Sequence, residues 1–270
     1  MPPTAFEQMT PFLQQPFQQP LSRHLRGYDL RLLTLDDLDI LVAMRNEVLA
    51  HLPNPDLHMR EPNEIEYLRA HLTPLTTNLG TAPEHPMERG EIIGVFDKGQ
   101  LVAYGMLGLP LPEAEDNLGK LLPIPPETYC QVAHIAGCMV REDMRGQGLQ
   151  RLLLAARLVL AKIHGRTVCA ARVSMHNHAS RRNMQRQGMH IAWVGDIKGL
   201  KRHILGIHLG QPWSFDNTQA LLASSEDFDR QQTLSQQGWW GVGEIEHASG
   251  SPTLVFEKFS TGTLLAERQA

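Results

Sequence analysis

The sequence predicts a mixed α/β fold in which helices flank a central, largely antiparallel sheet. Apolar residues recur at helical spacing in two early segments, and two apolar runs around a short glycine-containing turn are typical of a β-hairpin. Further along, a strand, a glycine turn, a long amphipathic helix and another strand follow one another. With 270 residues, 42% of them hydrophobic, the chain is long enough to bury a sizeable core.

The first predicted elements are a strand and two helices. Tyr28–Leu33 has the pattern of a strand, and Thr34–Asp37 resembles a capping box that opens a helix. Pro53–Pro55 should end this helix, and a second helix should begin at Pro62. The residues expected to face the core are Leu38, Leu41, Met44, Val48 and Leu52 in the first helix and Ile65, Leu68 and Leu72 in the second.

The middle of the chain predicts a hairpin followed by a strand, a turn and a helix. Ile92–Phe96 and Leu101–Leu107 should pair around Asp97-Lys98-Gly99, and His134–Val140 should form a further strand. The helix after the turn should end at Gly165. Its inward face is expected to carry Leu149, Leu152, Leu153, Ala156, Leu160 and Ile163.

The chain is predicted to have three segments. Residues 1–24, rich in Pro and Gln, are expected to form a flexible arm, residues 25–210 the main domain, and residues 211–270 a C-terminal extension packed on it. The remaining predicted elements are a strand over Val168–Ser174, a helix over Ala179–Gln187, a strand pair over Ile191–Gly195 and Leu200–Leu209, a helix over Glu226–Gln237, and a hairpin of Trp239–Glu246 and Thr253–Phe259.

The composition argues against several classes of protein. No apolar run approaches the ~20 residues that span a bilayer, and the N-terminal residues lack the order of a secretory signal, so we expect a cytoplasmic protein. The three cysteines, Cys130, Cys138 and Cys169, do not have the spacing of a disulfide framework or a zinc site, and we expect them to be reduced and buried. The formal net charge of −4 argues against a general nucleic-acid binder.

Positive charge is concentrated between Arg141 and Arg202. This segment holds 13 Lys and Arg residues against three acids, a local charge of +10 that leaves −14 for the rest of the chain. A solvated basic face is the ordinary explanation of such a run. The glycine turn within it favours a site for a multiply phosphorylated small molecule.

The segment Val140–Leu149 predicts the end of a strand, a glycine turn and the start of a helix. Backbone N–H groups without helical partners and the helix dipole attract anions at such a position. Gly146 and Gly148 carry no side chain that would block a pyrophosphate. The turn lacks the Lys-Ser/Thr ending of a Walker P-loop and the G-x-G-x-x-G of a dinucleotide-binding unit.

The wider pattern resembles the two central motifs of the GNAT acetyltransferase superfamily. Arg145-Gly146-x-Gly148-Leu149 precedes the amphipathic helix, and Asn177 and Gly188-Met189 follow the next strand. The resemblance covers about residues 28–209, with motif-level similarity confined to 134–189. It implies the GNAT acyl-CoA N-acyltransferase fold, with the sheet splayed at one strand pair where CoA enters.

The resemblance implies acetyl-CoA, or another acyl-CoA, as co-substrate and suggests which residues bind it. The backbone of the turn would hold the pyrophosphate, the end of the preceding strand would align the pantetheine and the acyl carbonyl, and a second region would add further contacts. The implied cofactor-binding residues are Arg145, Gly146, Gln147, Gly148, Leu149 and Gln150 in the turn, Met139 and Val140 at the strand end, and Asn177 and Ser180 in the second region.

Three residues depart from the family pattern. Gln150 stands where Gly or Ala usually ends the turn, and Met189 replaces a common phenylalanine. Met184 stands where many members carry a tyrosine that protonates the departing thiolate, and a methionine has no proton to give. The resemblance therefore supports CoA binding more strongly than catalysis.

Direct acyl transfer needs a group that removes the proton of the attacking amine. His134 is the candidate, at a position that resembles the first of the histidines that arylalkylamine acetyltransferases carry, and a buried histidine satisfied by a neighbouring strand is the alternative. Glu142 and Asp143 could attract an amine, but they could equally cap the helix or remain in solvent. Tyr129 or Tyr104 could replace the missing proton donor.

These observations predict an N-acyltransferase that moves an acetyl or short acyl group from CoA to a primary amine of a small molecule or peptide. A catalytically weak CoA-binding or regulatory module of the same fold is the alternative. No metal site is expected, since His176 and His178 have no third ligand in the sequence. No membrane or nucleic-acid partner is expected either, and the acceptor, the acyl-chain length and the choice between monomer and homodimer stay open.

Overall fold

The computed structural model of the chain describes residues 23–25, 27–59, 63–75, 88–248 and 250–260. The chain forms two compact units, of which the first contains the residues up to Leu111 together with Ala133–Gly165, and the second contains Pro112–Val132 and the residues from Arg166 onward. The predicted division at residue 210 stays a prediction. The predicted arm 1–24 lies outside the described residues except for Arg23 and His24, which belong to a strand.

The first unit contains five strands that pair antiparallel in chain order. Two helices pack on one face of β3 and β4, and a third helix packs on the same strands through Arg157, which lies against Gly105. The elements are β1 (Arg23–Leu25), β2 (Tyr28–Leu32), α1 (Leu38–Ala50), α2 (Glu64–Leu72), β3 (Arg89–Asp97), β4 (Gln100–Leu109), β5 (Val132–Val140) and α3 (Leu149–Ile163).

Two local predictions in this unit are confirmed in detail. Thr34 and Asp37 form a capping box, in which the Thr34 N–H donates to the Asp37 carboxylate at 2.9 Å, although a single 3-10 turn precedes α1. The hairpin of β3 and β4 closes through Lys98 and Gly99, whose φ angles are 49° and 82°. Two consecutive residues with positive φ match the twist of antiparallel strands, and a glycine adopts this conformation without steric cost.

Three predictions about burial are wrong. Ile65 is 39% exposed and Ile163 is 45% exposed, because each lies in the terminal turn of its helix, where fewer neighbours cover a side chain. Cys130 is exposed because it lies on a short 3-10 helix before β5 rather than on the strand itself. Cys169 is buried as expected, and Cys138 is partly exposed.

The second unit contains six antiparallel strands in the order β6-β8-β7-β10-β11-β9. Trp240 stacks on Phe259 with ring centroids 4.6 Å apart and meets Trp213 edge to face at 4.8 Å, so Trp240 is a core residue of this unit. The elements are β6 (Val168–Ser174), α4 (His178–Gln185), β7 (His190–Ile197), β8 (Leu200–His208), β9 (Phe215–Ser224), α5 (Phe228–Gln236), β10 (Trp239–Ile245) and β11 (Thr253–Phe259).

Strand β9 has no counterpart in the sequence prediction. Of its ten residues only Ala223 is buried, so the strand has no alternation of apolar and polar residues. Pairing with β11 alone defines it. The fold class is nevertheless the predicted one, a mixed α/β fold with antiparallel strands, and none of the helices among the described residues is long and apolar enough to cross a membrane.

Candidate functional site

Both glycines of the predicted turn have a left-handed backbone conformation. Gly146 and Gly148 both have φ of +79°, and Gly148 caps α3, which begins at Leu149. A Cβ on Gly146 would meet no heavy atom within 4 Å, so the backbone angle and not crowding requires the glycine. The first N–H groups of α3 have no helical acceptor, and together with the positive end of the helix dipole they favour a bound anion.

The acidic residues before the turn pair with its arginines. Arg141 contacts Asp143 at 2.9 Å, and Arg145 lies 3.7 Å from Glu142. Both carboxylate side chains are more than half exposed. These pairs line an open cleft of about 420 Å³ whose other residues are Glu47, Val48 and His51 of α1. Glu142 and Asp143 are therefore solvated partners of the arginines at this cleft.

Gln147 projects from the middle of the turn. Its side-chain oxygen accepts a hydrogen bond from the Tyr28 hydroxyl of β2, and its amide nitrogen lies 3.8 Å from the Met144 sulfur. Nothing in the sequence connects Tyr28 with Gln147, which lie 119 positions apart. The contact ties the turn to strand β2.

Part of the predicted basic segment lies in the interior and cannot face a phosphorylated ligand. Arg157, Arg181 and Arg202 are buried. Arg157 donates to the backbone carbonyls of Leu153, Met106 and Ala136. The interpretation of the whole segment as a phosphate-binding surface is therefore wrong for these three cations, and the glycine turn itself carries the prediction.

A β-bulge in β5 brings His134 to the same face of the sheet as Met139. His134 lies opposite Gly108 and Met139 lies opposite Tyr104, and the pairing shifts by one residue between these two points. Since Gly108 and Tyr104 are four residues apart on β4, their partners share one face. Strict alternation would have placed His134 and Met139 on opposite faces. This face is the one that α1 and α2 cover.

His134 is part of a buried group of side chains around one carboxylate, which we call the Glu88 cluster: Tyr67, His71, Glu88 and His134. The His134 Nδ1 lies 2.5 Å from the Glu88 Oε1, and the Tyr67 hydroxyl donates to Oε2 at 3.0 Å. The His71 Nε2 lies 3.8 Å from the same Oε2, and its Nδ1 donates to the Tyr67 carbonyl at 2.9 Å. Of these four residues, only His134 was predicted from the sequence to be a site residue.

Two glycines provide the space for this cluster. Gly90, Gly108 and His134 lie side by side across β3, β4 and β5. A Cβ on Gly108 would lie 2.4 Å from the Glu88 carboxylate, and one on Gly90 would lie 2.7 Å from the His71 ring and 1.8 Å from a backbone oxygen. Both contacts are too short for any side chain, so these positions admit only glycine while the cluster stays in place.

The protonation states of the cluster follow from its surroundings. Burial alone would raise the pKa of Glu88, but His134, His71 and the Tyr67 hydroxyl together lower it below its usual value, so the group is a carboxylate. Burial lowers the pKa of His71, with Glu88 acting in the opposite direction, so His71 is neutral. Its Nδ1 carries the hydrogen because a carbonyl can only accept.

Neither Tyr104 nor Cys138 is suited to move a proton near neutral pH. Burial raises the pKa of Tyr104 to about 12, although Arg45 donates to its hydroxyl at 2.9 Å. Burial likewise raises the pKa of the Cys138 thiol, with Arg157 acting in the opposite direction. The raised pKa values disfavour Tyr104 as the replacement proton donor and Cys138 as an activated nucleophile.

The second unit holds the other predicted cofactor residues. Asn177 caps α4 by accepting from the Ser180 N–H at 3.1 Å, and Ser180 is buried at the start of the helix. Met184 is buried on the same helix. Tyr129, the second candidate donor, is half-buried and lies against Gly119. The role of Asn177 and Ser180 in cofactor binding stays a prediction.

His176 and His178 both lie near one carboxylate, that of Glu226. They lie 3.6 Å and 3.2 Å from the two oxygens of Glu226, at the start of α4. Among the residues that the structure describes, no group of three or more His, Cys, Asp or Glu side chains could hold a metal ion.

Comparison with known proteins places this geometry in a family context. Residues 58–189 match the model of the Acetyltransferase (GNAT) family, a range that includes the Glu88 cluster, β5, the glycine turn, α3 and α4. No curated protein matches the sequence.

Several solved structures are similar over nearly their whole length. An N-acetyltransferase from Staphylococcus aureus Mu50 is 17% identical, with 67% of this chain and 98% of that chain covered and a TM-score of 0.47. A putative acetyltransferase from Salmonella typhimurium with its cofactor acetyl-CoA is 17% identical, with 69% and 98% covered and a TM-score of 0.46. A ribosomal-protein-alanine N-acetyltransferase from Brucella melitensis is 20% identical, with 67% and 99% covered and a TM-score of 0.46.

Proposed function

We propose, from the premise that residues 58–189 form an acetyltransferase domain of the GNAT family, that the protein transfers an acetyl or short acyl group from CoA to a primary amine. The observation that carries the proposal is the left-handed conformation of Gly146 and Gly148 at the start of α3. It gives the predicted pyrophosphate site the backbone geometry that this family domain needs.

The cofactor would be bound mainly by backbone groups of Arg145–Gln150. Leu149 is buried, so it can contribute only its backbone N–H, whereas Arg145 and Gln147 are exposed enough to add side-chain contacts. Met139 and Val140 precede the turn on β5, so a pantetheine arm that leaves the turn along this strand would pass them. Asn177 and Ser180 would provide the second set of contacts.

His134 would accept the proton of the attacking amine. The amine nitrogen attacks the thioester carbonyl, the C–S bond breaks, and CoA leaves as a thiolate. His134 then releases the accepted proton to solvent and the thiolate takes one up from solvent, so the products are an amide and CoA with a free thiol. The Glu88 carboxylate beside Nδ1 favours the tautomer in which Nδ1 carries the hydrogen and Nε2 carries the lone pair. That tautomer is the one a proton acceptor requires.

A CoA-binding or regulatory module of the same fold is the second candidate. The buried Met184 and the raised pKa of Tyr104 favour it, because a methionine has no proton to give and a tyrosine of raised pKa is a weak proton donor near neutral pH. The two candidates share cofactor binding and differ in turnover.

Two measurements on the full chain separate these candidates. Calorimetry with acetyl-CoA should give binding in the micromolar range, and a thiol reagent should detect free CoA when polyamines, amino-acid amides or short peptides with free N-termini are added. Binding with no thiol release from any amine would support the module. Absence of acetyl-CoA binding would refute both candidates.

A further inference from the structure

We infer that Glu88 is a positioning residue that orients His134 for proton transfer, with the Tyr67 hydroxyl holding its carboxylate in place. The inference rests on the proposed function, since it describes how the proton acceptor of that reaction is prepared. Glu88 lies immediately before β3, some 46 positions from His134, and no motif connects the two residues.

The contact between the two side chains is built for orientation. A carboxylate can only accept, so a hydrogen bond across the 2.5 Å between His134 Nδ1 and Glu88 Oε1 requires the hydrogen on Nδ1. Such a bond fixes the imidazole ring in one tautomer and one rotation, with the lone pair on Nε2. A hydrogen bond to a carboxylate also stabilises the imidazolium that forms when Nε2 takes up the proton of the amine.

The carboxylate is itself constrained from several directions. The Tyr67 hydroxyl donates to Oε2, the His71 ring lies 3.8 Å from that oxygen, and Gly108 lies directly against the carboxylate. Tyr67 and His71 are one helical turn apart on α2, and the hydrogen bond from His71 Nδ1 to the Tyr67 carbonyl fixes the second ring as well. Glu88 thus has little freedom to move away from His134.

A purely structural role explains these features less well. A buried carboxylate paired with an imidazole is costly to desolvate, and an apolar side chain of similar size often gives equal or greater stability. Here the sheet also leaves out two side chains, at Gly90 and Gly108, to accommodate the pair. Loss of side-chain packing around a fixed carboxylate is expected where the neighbouring imidazole takes part in function.

The first test observes His134 directly and needs no acceptor amine. In imidazole 1H–15N spectra of the full chain, with His134 assigned from the spectrum of His134→Gln, the neutral ring should show a hydrogen on Nδ1. In Glu88→Gln the ring should lose this single tautomer, because the facing carboxylate is gone.

The second test is kinetic and uses acetyl-CoA with the amine that gives the fastest thiol release. Glu88→Gln should lower kcat by at least about 10-fold and leave acetyl-CoA affinity within about twofold. Glu88→Asp, which keeps the charge, should recover part of the rate. The matched control is Glu91→Gln on β3. It removes a carboxylate that lies 2.8 Å from the His164 Nε2, and it should change none of these quantities.

The outcomes separate the inference from the proposed function. An unchanged His134 tautomer in Glu88→Gln would overturn the positioning role, whatever the activity. A folded Glu88→Gln variant with the kcat of the unmodified chain would overturn it too, while leaving the transferase intact. If the spectra change as expected but no amine releases CoA from the unmodified chain, the orientation of His134 stands and the transferase proposal fails.

Discussion

The glycine turn and the Glu88 cluster lie toward opposite ends of β5 and depend on different parts of the chain. The turn is exposed, and its chemistry comes from backbone N–H groups whose direction Gly146 and Gly148 set. The cluster is buried, and its chemistry comes from side chains that three separate elements bring together. The turn should therefore tolerate changes of side chain that keep its backbone angles, whereas the cluster should tolerate almost none.

The largest expected effect separates turnover from binding at the cluster. His134→Ala should lower kcat for acyl transfer by about 10²- to 10⁴-fold, the usual contribution of a positioned acid or base, and leave the Kd for acetyl-CoA within about twofold. Thiol-release kinetics and calorimetry measure the two quantities. His164→Gln is the control, because it removes an imidazole that pairs with Glu91 at the far end of α3. A kcat within threefold of the unmodified chain would show that His134 is only a buried core histidine.

The second effect is the converse, in which binding is lost at the turn. Gly146→Leu should weaken acetyl-CoA binding by at least about 10-fold, since it strains the left-handed backbone and places a side chain above the N–H groups. Gly99→Leu is a matched control, because Gly99 has a similar φ of 82° and open space around its Cβ but lies in the β3–β4 hairpin.

Both glycine variants should lose a similar amount of unfolding free energy, about 1 kcal/mol. Calorimetry and chemical denaturation on the same two proteins then distinguish a local loss of binding from general damage. Equal loss of acetyl-CoA affinity in the two variants would remove the turn as the cofactor site.

The third effect concerns the space that the cluster occupies. Gly108→Ala would place a methyl group 2.4 Å from the Glu88 carboxylate, and the carboxylate cannot move without leaving His134 and Tyr67. We expect a loss of about 1 to 3 kcal/mol in unfolding free energy, as for other overpacked interiors, together with a fall in kcat. Gly137→Ala on β5 is the control, since its Cβ would approach only the Met106 sulfur, at 3.4 Å. Urea denaturation of both variants, at similar m-values, measures the loss of unfolding free energy. Equal losses in Gly108→Ala and Gly137→Ala would contradict the prediction.

The turn and the cluster also differ in how far the sequence could predict them. Gly146 and Gly148 lie within one short segment between a strand and a helix, so local rules of backbone geometry suffice to propose their conformation. Tyr67, His71, Glu88 and His134 come from three elements, and their meeting depends on strand register. The bulge that turns His134 to the face of Met139 leaves no mark in the sequence, because an extra residue in a strand looks like any other.

Faint signals of the cluster exist. Tyr67 and His71 have the i, i+4 spacing of neighbours on a helix, and Gly90 and Gly108 interrupt or border predicted strands, where glycine often marks a close approach. Neither signal identifies Glu88 as the partner. The same limit applies to strand β9, whose exposed residues show no periodicity and whose existence depends on the edge of β11.

The smallest expected effect tests whether burial keeps an imidazole neutral in this protein, as inferred for His71. His203 is also buried, but Arg181 lies near it in place of a carboxylate, and its Nε2 is 2.7 Å from the Gln231 amide oxygen. Burial, reinforced by Arg181, lowers the pKa of His203 from 6.5 to about 3. As the pH falls below 6.5, the unfolded chain therefore binds a proton at His203 that the folded chain does not bind. The stability present above pH 6.5 is lost progressively toward pH 3.

Between pH 6.5 and 5.5 this single imidazole should remove about 1 kcal/mol of unfolding free energy. Urea denaturation at these two pH values measures the loss, and His203→Gln should reduce it by that amount even if the variant is less stable at both. His247→Gln, which changes an exposed imidazole in the same unit, should leave the loss unchanged. If His203→Gln also leaves it unchanged, His203 accepts a proton in the folded state, and burial beside a cation does not suffice to hold an imidazole neutral here. The neutral state of His71 would then need an explanation other than burial.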